Sequence, residues 1–274
     1  MAQVTDHVPP PPPSGGAVPP PPPPTPLPPP SAPGSTPLAA PPGYAGYRGT
    51  PVSTYGLKRI GAVAKAAMIL VGVTGASSLL TYLVGIPLVD DARSFLDGET
   101  TSDDFTRALI PYGALGLVQA VAMLASVVLV MIWMYRIAAN LRLLQRAGRW
   151  APGWAIGGWF LPPFLYIIPF LMFRELWKAS DPEVPIGGDW RSRSVPWPIT
   201  AWFVVYGPVS LVVTLMSAGS SLNIGGTERE LAEQLVDGQG TAAISGIVSF
   251  VAAGLFVVMA RQLTRRHQQL IGED

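Results

Sequence analysis

The sequence predicts an all-α integral membrane protein with four transmembrane helices around a central proline-broken segment, preceded by a disordered proline-rich tail. Hydrophobic residues make up 49% of the 274 residues and charged residues only 13%, well below the roughly 25% typical of soluble domains. The apolar residues fall in long runs, each able to cross a bilayer. Most of the 31 prolines precede the first of these runs.

Residues 1–55 form the proline-rich cytoplasmic tail, with runs such as Pro9–Pro13 and Pro19–Pro24. Proline fixes φ and removes an amide donor, so we expect an extended conformation without a packed core. The sequence Pro41-Pro42-Gly43-Tyr44 fits a PPxY ligand pattern. The tail is therefore interpreted either as a docking segment for a protein partner or as a solvated spacer.

The membrane domain is predicted to cover residues 56–270. Each of its four spans is about as long as, or longer than, the ~20 residues that cross the hydrocarbon core. The acidic connector after the first span, residues 87–107, is expected to be a loop on the outer side. The four spans are expected at about residues 60–86, 109–135, 199–219 and 241–260.

Local motifs predict how these helices begin and pack. Pro111 and Pro198 are expected in first helical turns, where a missing amide donor costs little. Gly207-Pro208 is expected to kink the third span. Gly72 and Ala76 predict a small-residue face for close helix packing. Between the last two spans, GTERELAEQL opens with a capping box and predicts a short amphipathic helix.

Residues 153–173 are apolar and long enough to be a fifth span, so the distribution of charge must decide whether they cross the membrane. If they cross, nine Lys and Arg residues lie on each side. If they return, fifteen lie on the side of the N terminus, and only Arg93, Arg107 and Arg229 lie on the other. The positive-inside rule favours a re-entrant or interfacial hairpin, with both termini in the cytoplasm.

The backbone of this segment also favours a hairpin. Pro162 and Pro163 remove two amide donors and disfavour helix before them, so the tip is expected there. Pro169 is expected to break the second arm. Irregular backbone at membrane depth must be shielded by protein, so we expect the four spans to surround it. All eight tryptophans fall between residues 133 and 202 and are interpreted as an aromatic belt at the cytoplasmic interface.

A basic helix precedes the hairpin and a charged helix follows it. Arg142, Arg146 and Arg149 are expected on one face of the first helix, where they either anchor the positive side or hold anionic lipid headgroups. Arg136 is expected to form an ion pair with Glu175 across the mouth of the hairpin. The alternative is that both are solvated surface charges.

The candidate functional constellation lies in this central region: Arg136, Asn140, Trp159, Pro162, Pro163, Pro169, Glu175 and Trp177. The region contains a set of recognisable motifs: Arg136 with Asn140, Pro152-Gly153-Trp154, Gly158 to Pro162, Pro169, and Glu175 to Pro182. In these motifs the chain resembles the family called domain of unknown function 4328, over about residues 60–270. The resemblance implies a bacterial, largely actinobacterial, plasma-membrane protein with four to six spans, and it implies no activity.

Composition argues against several classes of function. There is no cysteine, and His7 and His267 lie in polar tails, so we predict no catalytic, cofactor or metal site. A formal net charge of +1 gives no field for nucleic acid. No span contains Asp or Glu, which argues against ion-coupled transport.

Two hypotheses for the function remain. The first hypothesis is a non-enzymatic membrane adaptor acting through its tail. The second is a passive channel, lipid-handling or solute-translocating protein that uses the broken hairpin.

Overall fold

A computed structural model describes residues 56–161, 166–185, 187–217 and 226–273. These residues form helices and connecting turns, without a strand. The predicted tail and the predicted hairpin tip at Pro162 and Pro163 lie outside the described residues. The helices are α1 (Gly61–Leu96), α2 (Ser102–Leu143), α3 (Trp154–Gly157), α4 (Ile167–Ala179), α5 (Trp197–Val204), α6 (Ser210–Ser217), α7 (Glu228–Asp237) and α8 (Gln239–Ile271), with a 3-10 turn at Trp190–Ser192 and a π-turn at Val205–Val209.

Four helical units in the described residues are long and apolar enough to cross a membrane: α1, α2, the α5–α6 unit and α8. Each overlaps one of the predicted spans. The helices run well beyond them, however, since α1 continues to Leu96 and α2 begins at Ser102. The prediction of an acidic loop over residues 87–107 is therefore wrong, because most of this connector is helical.

The helical extensions are held by a second, smaller hydrophobic core. Leu88 and Ala92 of α1 are buried there with Phe105 of α2 and Ala232 of α7. Pro87 removes one backbone hydrogen bond from α1, and burial of these side chains offsets that loss. The packing explains why α1 does not end at its proline.

An N-cap sets the early start of α2. The Thr101 side chain accepts a hydrogen bond from the backbone N–H of Asp104 at 3.3 Å. Asp103 and Asp104 also place negative charge in the first turn, which favours a helix start. Pro111 consequently lies inside α2 rather than in its first turn, which corrects the prediction.

Two other local predictions, at Pro198 and at Thr227, are confirmed. Pro198 lies in the first turn of α5. A π-turn between α5 and α6 contains Pro208, at the position where a kink was predicted. The capping box of α7 is complete, because Thr227 and Glu230 each accept a hydrogen bond from the other's backbone N–H.

The bundle is centred on α1, which packs along α2 on one side and α8 on the other, while α5 and α6 pack on α8. Glycines allow the close approach of α1 and α8. A Cβ atom at Gly75 would lie 2.4 Å from Cβ of Ala253, and one at Gly246 would lie 3.2 Å from the Ser78 carbonyl oxygen. A Cβ at Gly72 would meet no described atom within 4 Å, so the predicted packing face at Gly72 is wrong.

The two ends of the bundle carry opposite charge. At the basic end, Lys58, Asn140 and His267 bring the start of α1, the end of α2 and the end of α8 together. At the acidic end lie the small core with Ala232 and ten Asp and Glu residues, six between Asp90 and Asp104, at the facing ends of α1 and α2 and in the turn between them, and four in α7. Of the described Lys and Arg residues, only Arg93, Arg107 and Arg229 lie there.

A carboxylate from the far end of the sequence caps the start of α1. Glu273 follows α8, and its Oε2 accepts the backbone N–H of Ile60 at 2.9 Å. Its Oε1 accepts the N–H of Gly61 at 3.0 Å. Negative charge at a helix N-terminus satisfies orphan donors and is favoured by the helix dipole. The first turn of α1 is therefore fixed to the last turn of α8.

The central segment begins and ends at the basic end, and its arms contact each other. A Cβ at Gly158 would lie 2.5 Å from Cγ2 of Ile168. The arms contain α3, of four residues, and α4, of 13 residues. Pro169 does not break the second arm as predicted, because it lies in the first turn of α4, where no helical acceptor awaits its missing N–H.

The tryptophans do not form one interfacial belt. Trp197 is 71% exposed, whereas Trp133, Trp190 and Trp202 are at most 6% exposed. Trp133 and Trp202 pack against Phe256, with ring centroids 6.2 and 6.0 Å apart. The belt interpretation is wrong for these residues, because they belong to the protein core.

The glycine contacts give a matched pair of variants. We expect Gly75→Leu to force α1 from α8 and to lower stability by ~1–3 kcal/mol or more, as overpacking does. Gly72→Leu adds the same side chain to the same helix where there is open space, and we expect little change. Thermal unfolding in detergent measures the difference, and equal melting temperatures for the two variants would contradict the assigned contact.

Candidate functional site

A buried network, the polar hub (Asn140, Arg146, Ser180, Asp181 and His267), joins the elements at the basic end. Asn140 in α2 is fully buried. Its Oδ1 accepts the backbone N–H of Lys58 at 2.8 Å, and its Nδ2 donates to the Lys58 carbonyl at 2.9 Å. This reciprocal pair fixes the orientation of the amide and ties the chain entering α1 to the end of α2.

His267 lies between Asn140 and Ser180 and is also fully buried. The Asn140 Nδ2 donor is 3.2 Å from Nε2 of His267, so Nε2 acts as an acceptor. The proton is then on Nδ1, which donates to Oγ of Ser180 at 2.9 Å. An imidazole in this tautomer cannot take the serine proton, so the pair is not arranged as nucleophile and base. The prediction that His267 lies in a polar tail is wrong, because α8 carries it into the core.

Arg146 is buried against the C-terminal end of α4. Its guanidinium donates to the carbonyl oxygens of Ala179 at 3.0 Å and Asp181 at 2.6 Å, and to that of Val184. Positive charge is favourable at the C-terminal end of a helix, where carbonyls lack helical partners. Burial lowers the pKa of the Arg146 guanidinium, and the nearby Asp181 charge opposes that shift.

The predicted basic face of Arg142, Arg146 and Arg149, interpreted either as an anchor or as a lipid-binding face, is not formed. The α2 helix ends at Leu143, and Gln145 takes a left-handed conformation with φ of 57°, so the chain turns away before the face is complete. Arg142 and Arg149 are exposed, but Arg146 is only 4% exposed.

Asp181 links three parts of the chain. Its buried Oδ2 lies 2.9 Å from Nε of Arg193 and 2.6 Å from a terminal nitrogen of Arg266. Its Oδ1 accepts the backbone N–H of Glu183 at 3.0 Å. The Arg266 guanidinium also lies 4.6 Å from the ring centroid of Trp177, which places that predicted residue at the edge of the polar hub. These two cationic partners offset much of the free-energy cost of burying the Asp181 carboxylate.

Arg136 and Glu175 do not form the predicted ion pair. Arg136 donates to the carbonyl of Arg59 at 2.9 Å. Glu175 instead accepts the backbone N–H groups of Arg149 and Trp150 at 2.9 and 3.1 Å. Both side chains anchor main chain. The prediction failed because side-chain spacing along the sequence does not reveal unsatisfied backbone groups.

A cavity of about 410 Å³ lies within the bundle, between α2 and the α5–α6 unit, with α1 and α8 as its other walls. Among the described residues, no acidic or basic side chain lines it, and most of the lining is apolar. Of the described members of the predicted constellation, only Trp159 reaches this cavity. The residues that give it polar character are Thr74, Ser78, Gln119, Ser126, Trp159, Tyr206, Ser210 and Ser249.

Aromatic rings close the cavity toward the basic end. Trp202 and Phe256 line it, and the fully buried Trp133 and Phe173 pack behind them. Ring centroids in this aromatic cluster are 5.2 to 6.2 Å apart. The cluster separates the cavity from the polar hub.

Toward the acidic end, a second cavity of about 270 Å³ continues from the first. The two share Ser78, Gln119 and Ser249, and the second reaches Gln239 at the start of α8. Gln119 Nε2 donates to Ser78 Oγ at 2.8 Å where they join. Among the described residues, the buried Nε1 of Trp159 has no hydrogen-bond partner.

Sequence reasoning missed Gln119 and His267, although both left a signal. Gln119 is an amide within an otherwise apolar predicted span, which favours an internal polar contact. His267 lies four residues after Leu263 and seven after Ala260, both buried, so the buried face of α8 continues into the basic region.

The four long apolar helices and the uncharged cavity among them define the class of the protein, a multi-pass α-helical membrane protein. The chain belongs to the family described as domain of unknown function (DUF4328), which matches residues 99–265, more than half of the sequence. The match confirms the resemblance, although it begins after α1 and ends before His267. No curated protein and no solved structure matches the chain.

The reciprocal bonds of Asn140 predict a large effect of its removal. Asn140→Ala leaves both backbone groups of Lys58 and the ring of His267 without their buried partner, at ~1–3 kcal/mol for each unsatisfied group. We expect a lower melting temperature and less folded protein in detergent. Arg142→Ala, an exposed change two residues further on the same helix, is the control. A similar loss in both variants would show that the network adds nothing specific.

Proposed function

We propose that this protein binds an uncharged amphiphilic molecule, with an apolar body and a hydrogen-bonding head, in the cavity between α2 and the α5–α6 unit. The lining is the observation that supports this most directly. Among the described residues of the lining, apolar side chains dominate, neutral polar groups such as Gln119 and Ser249 lie between them, and no acidic or basic side chain is present. A charged ligand in such surroundings would lose its hydration without gaining an ionic partner.

The size and polarity of the cavity fit a bound molecule. About 410 Å³ falls in the roughly 300–1,000 Å³ range of ligand pockets, which are mainly apolar with a few polar groups that orient the ligand. Trp159 lines the cavity, and its buried Nε1 has no hydrogen-bond partner among the described residues. Such a donor in a low-dielectric site gains more from a ligand acceptor than an exposed one does.

The closure of the cavity toward the basic end favours binding of a ligand over conduction of a solute through the bundle. The aromatic cluster around Trp133 and Phe173 blocks the way from the cavity to the basic end. In the part of the chain that the structure describes, the second cavity extends from the first toward the acidic end. Within the second sequence hypothesis, this supports handling of a lipid or small solute rather than an open passive channel.

Orientation follows from the charges and is also part of the proposal. The basic end faces the cytoplasm of a bacterial plasma membrane, and both termini lie on that side. Residues 153–173 form a re-entrant or interfacial hairpin, supported by the contact of Arg146 with Ala179 and Asp181, which brings its two flanks together. The cavity then communicates with the outer leaflet or outer surface.

The absence of native cysteine allows a clean test of this orientation. A single cysteine at Glu99, exposed at the acidic end, should react with a membrane-impermeant maleimide in intact cells. A single cysteine at Glu183, whose side chain is 80% exposed at the basic end, should react only after the cells are opened. External labelling at position 183 comparable with that at position 99 would refute the hairpin topology.

The cavity can be tested with an uncharged probe. A diacylglycerol with a diazirine in one acyl chain should crosslink to the cavity walls of the purified protein. Ser249→Phe fills the cavity and should reduce that crosslinking several-fold, whereas Val251→Phe, on the exposed lipid face of the same helix, should not. Peptide mapping by mass spectrometry locates the adducts, and the charged phosphatidylglycerol probe should label the lining less.

Equal crosslinking in the two phenylalanine variants would reject the cavity as the binding site.

The adaptor hypothesis predicts a different result, because it assigns the function to the proline-rich residues 1–55. Deletion of these residues should leave diacylglycerol crosslinking unchanged if the cavity is the functional site. If the protein is an adaptor, the same deletion should abolish its function in cells while Ser249→Phe is silent.

A further inference from the structure

We infer that a pocket at the basic end, distinct from the polar hub and the cavity, binds a phosphate-bearing anion. The pocket has a volume of about 380 Å³. Its lining includes four cationic side chains, Arg149, Arg174, Lys178 and Arg191, and the rings of Trp150 and Trp190. This site does not depend on the function proposed for the cavity.

The cations converge from three separate segments. Arg149 follows the turn after α2, Arg174 and Lys178 lie on α4, and Arg191 lies in the 3-10 turn. No ion pair involves any of the four among the described residues, although other arginines at this end are paired with Asp181. Four like charges around one pocket repel each other, so an anion that they share stabilises the arrangement.

One carboxylate, Glu175, also lines the pocket, but the main chain engages it. Its oxygens accept the N–H groups of Arg149 and Trp150. Glycine at position 148 permits this contact, because a Cβ there would lie 1.8 Å from Oε1 of Glu175. Glu175 thus holds the Arg149 segment against α4, and the four cations still outnumber it.

A hydrogen bond and a cation–π contact position the opposite wall of the pocket, which Trp190 and Arg191 form. Lys178 Nζ donates to the carbonyl of Arg191 at 3.0 Å. The Arg191 guanidinium lies 4.4 Å from the ring centroid of Trp190, which is only 6% exposed. Lys178 and Arg191 are therefore held in place, and preorganisation of these two groups lowers the entropic cost of binding.

The chemistry of these groups selects phosphate. Arginine presents a planar fork that binds phosphate oxygens in a bidentate manner, and lysine adds a point charge. Tryptophans beside the cations suit a headgroup at a membrane interface. A phospholipid headgroup and a soluble phosphate compound share this chemistry. Of the three arginines in the predicted basic face, Arg149 lines this pocket, whereas Arg142 and Arg146 do not.

The test uses the full-length protein, delipidated in detergent and titrated with cardiolipin, phosphatidylcholine or sodium pyrophosphate, with binding measured by native mass spectrometry. Arg174→Gln with Arg191→Gln should weaken cardiolipin binding by about tenfold or more, since charge-assisted bonds are lost. Arg59→Gln with Arg142→Gln removes the same charge from exposed positions at the same end, outside the pocket, and should change binding by less than about twofold.

Equal weakening in both double variants would overturn the inference in favour of diffuse positive charge, and so would no weakening in either. Arg174→Lys with Arg191→Lys keeps the charge and should retain folding while losing part of the affinity, which covers the case that the glutamine variant fails to fold. If pyrophosphate binds in the absence of lipid, with the same dependence on the variants, and also displaces bound cardiolipin, the ligand is a soluble phosphate compound. If only cardiolipin binds, it is a lipid headgroup. Both results support a phosphate site, whereas binding of neither cardiolipin nor pyrophosphate refutes it.

Discussion

The arrangement at the basic end depends on the burial of one guanidinium. Arg146 reaches the carbonyls at the end of α4, and a buried arginine without such acceptors would carry an unsolvated charge. Because these acceptors lie on the far side of the central segment, satisfying Arg146 brings the chain back to the end of α2. Asp181 then occupies a position from which it holds Arg193 and Arg266. The approach of the two flanks of the central segment is thus held by the carbonyl groups that satisfy this buried charge.

The molecule separates its polar chemistry by depth. The buried charged side chains of Arg146 and Asp181 are gathered in the polar hub at the basic end. Among the described residues, the polar groups that line the cavity are neutral, and the aromatic cluster lies between the cavity and the hub. This division keeps the buried charged network apart from the interior of the bundle.

Much of the architecture was predictable from sequence because hydrophobic runs and capping motifs are local. The approximate positions of the four spans, the capping box at Thr227 and the irregularity at Pro208 followed from such patterns. Helix ends were predicted less well, since the continuation of α1 beyond Pro87 depends on burial of Leu88 against Phe105, which is a tertiary effect. The candidate site was only partly predictable. Of the predicted residues, Asn140 belongs to the polar hub, Trp177 lies at its edge and Trp159 lines the cavity. The partners of Arg136 and Glu175, however, are backbone groups, which a pattern of side chains does not predict.

The cap that Glu273 places on α1 has a consequence for biogenesis. The acceptor for the first amides of α1 lies more than 200 residues later in the chain, because Gly61 and Glu273 are 212 positions apart. During synthesis α1 emerges first, and its N-terminal turn must rely on water or other temporary partners until α8 has been made and docked. The basic end of the bundle is therefore locked only after α8 has been made, more than 200 residues after the start of α1, which makes this contact a later step of assembly than the emergence of α1.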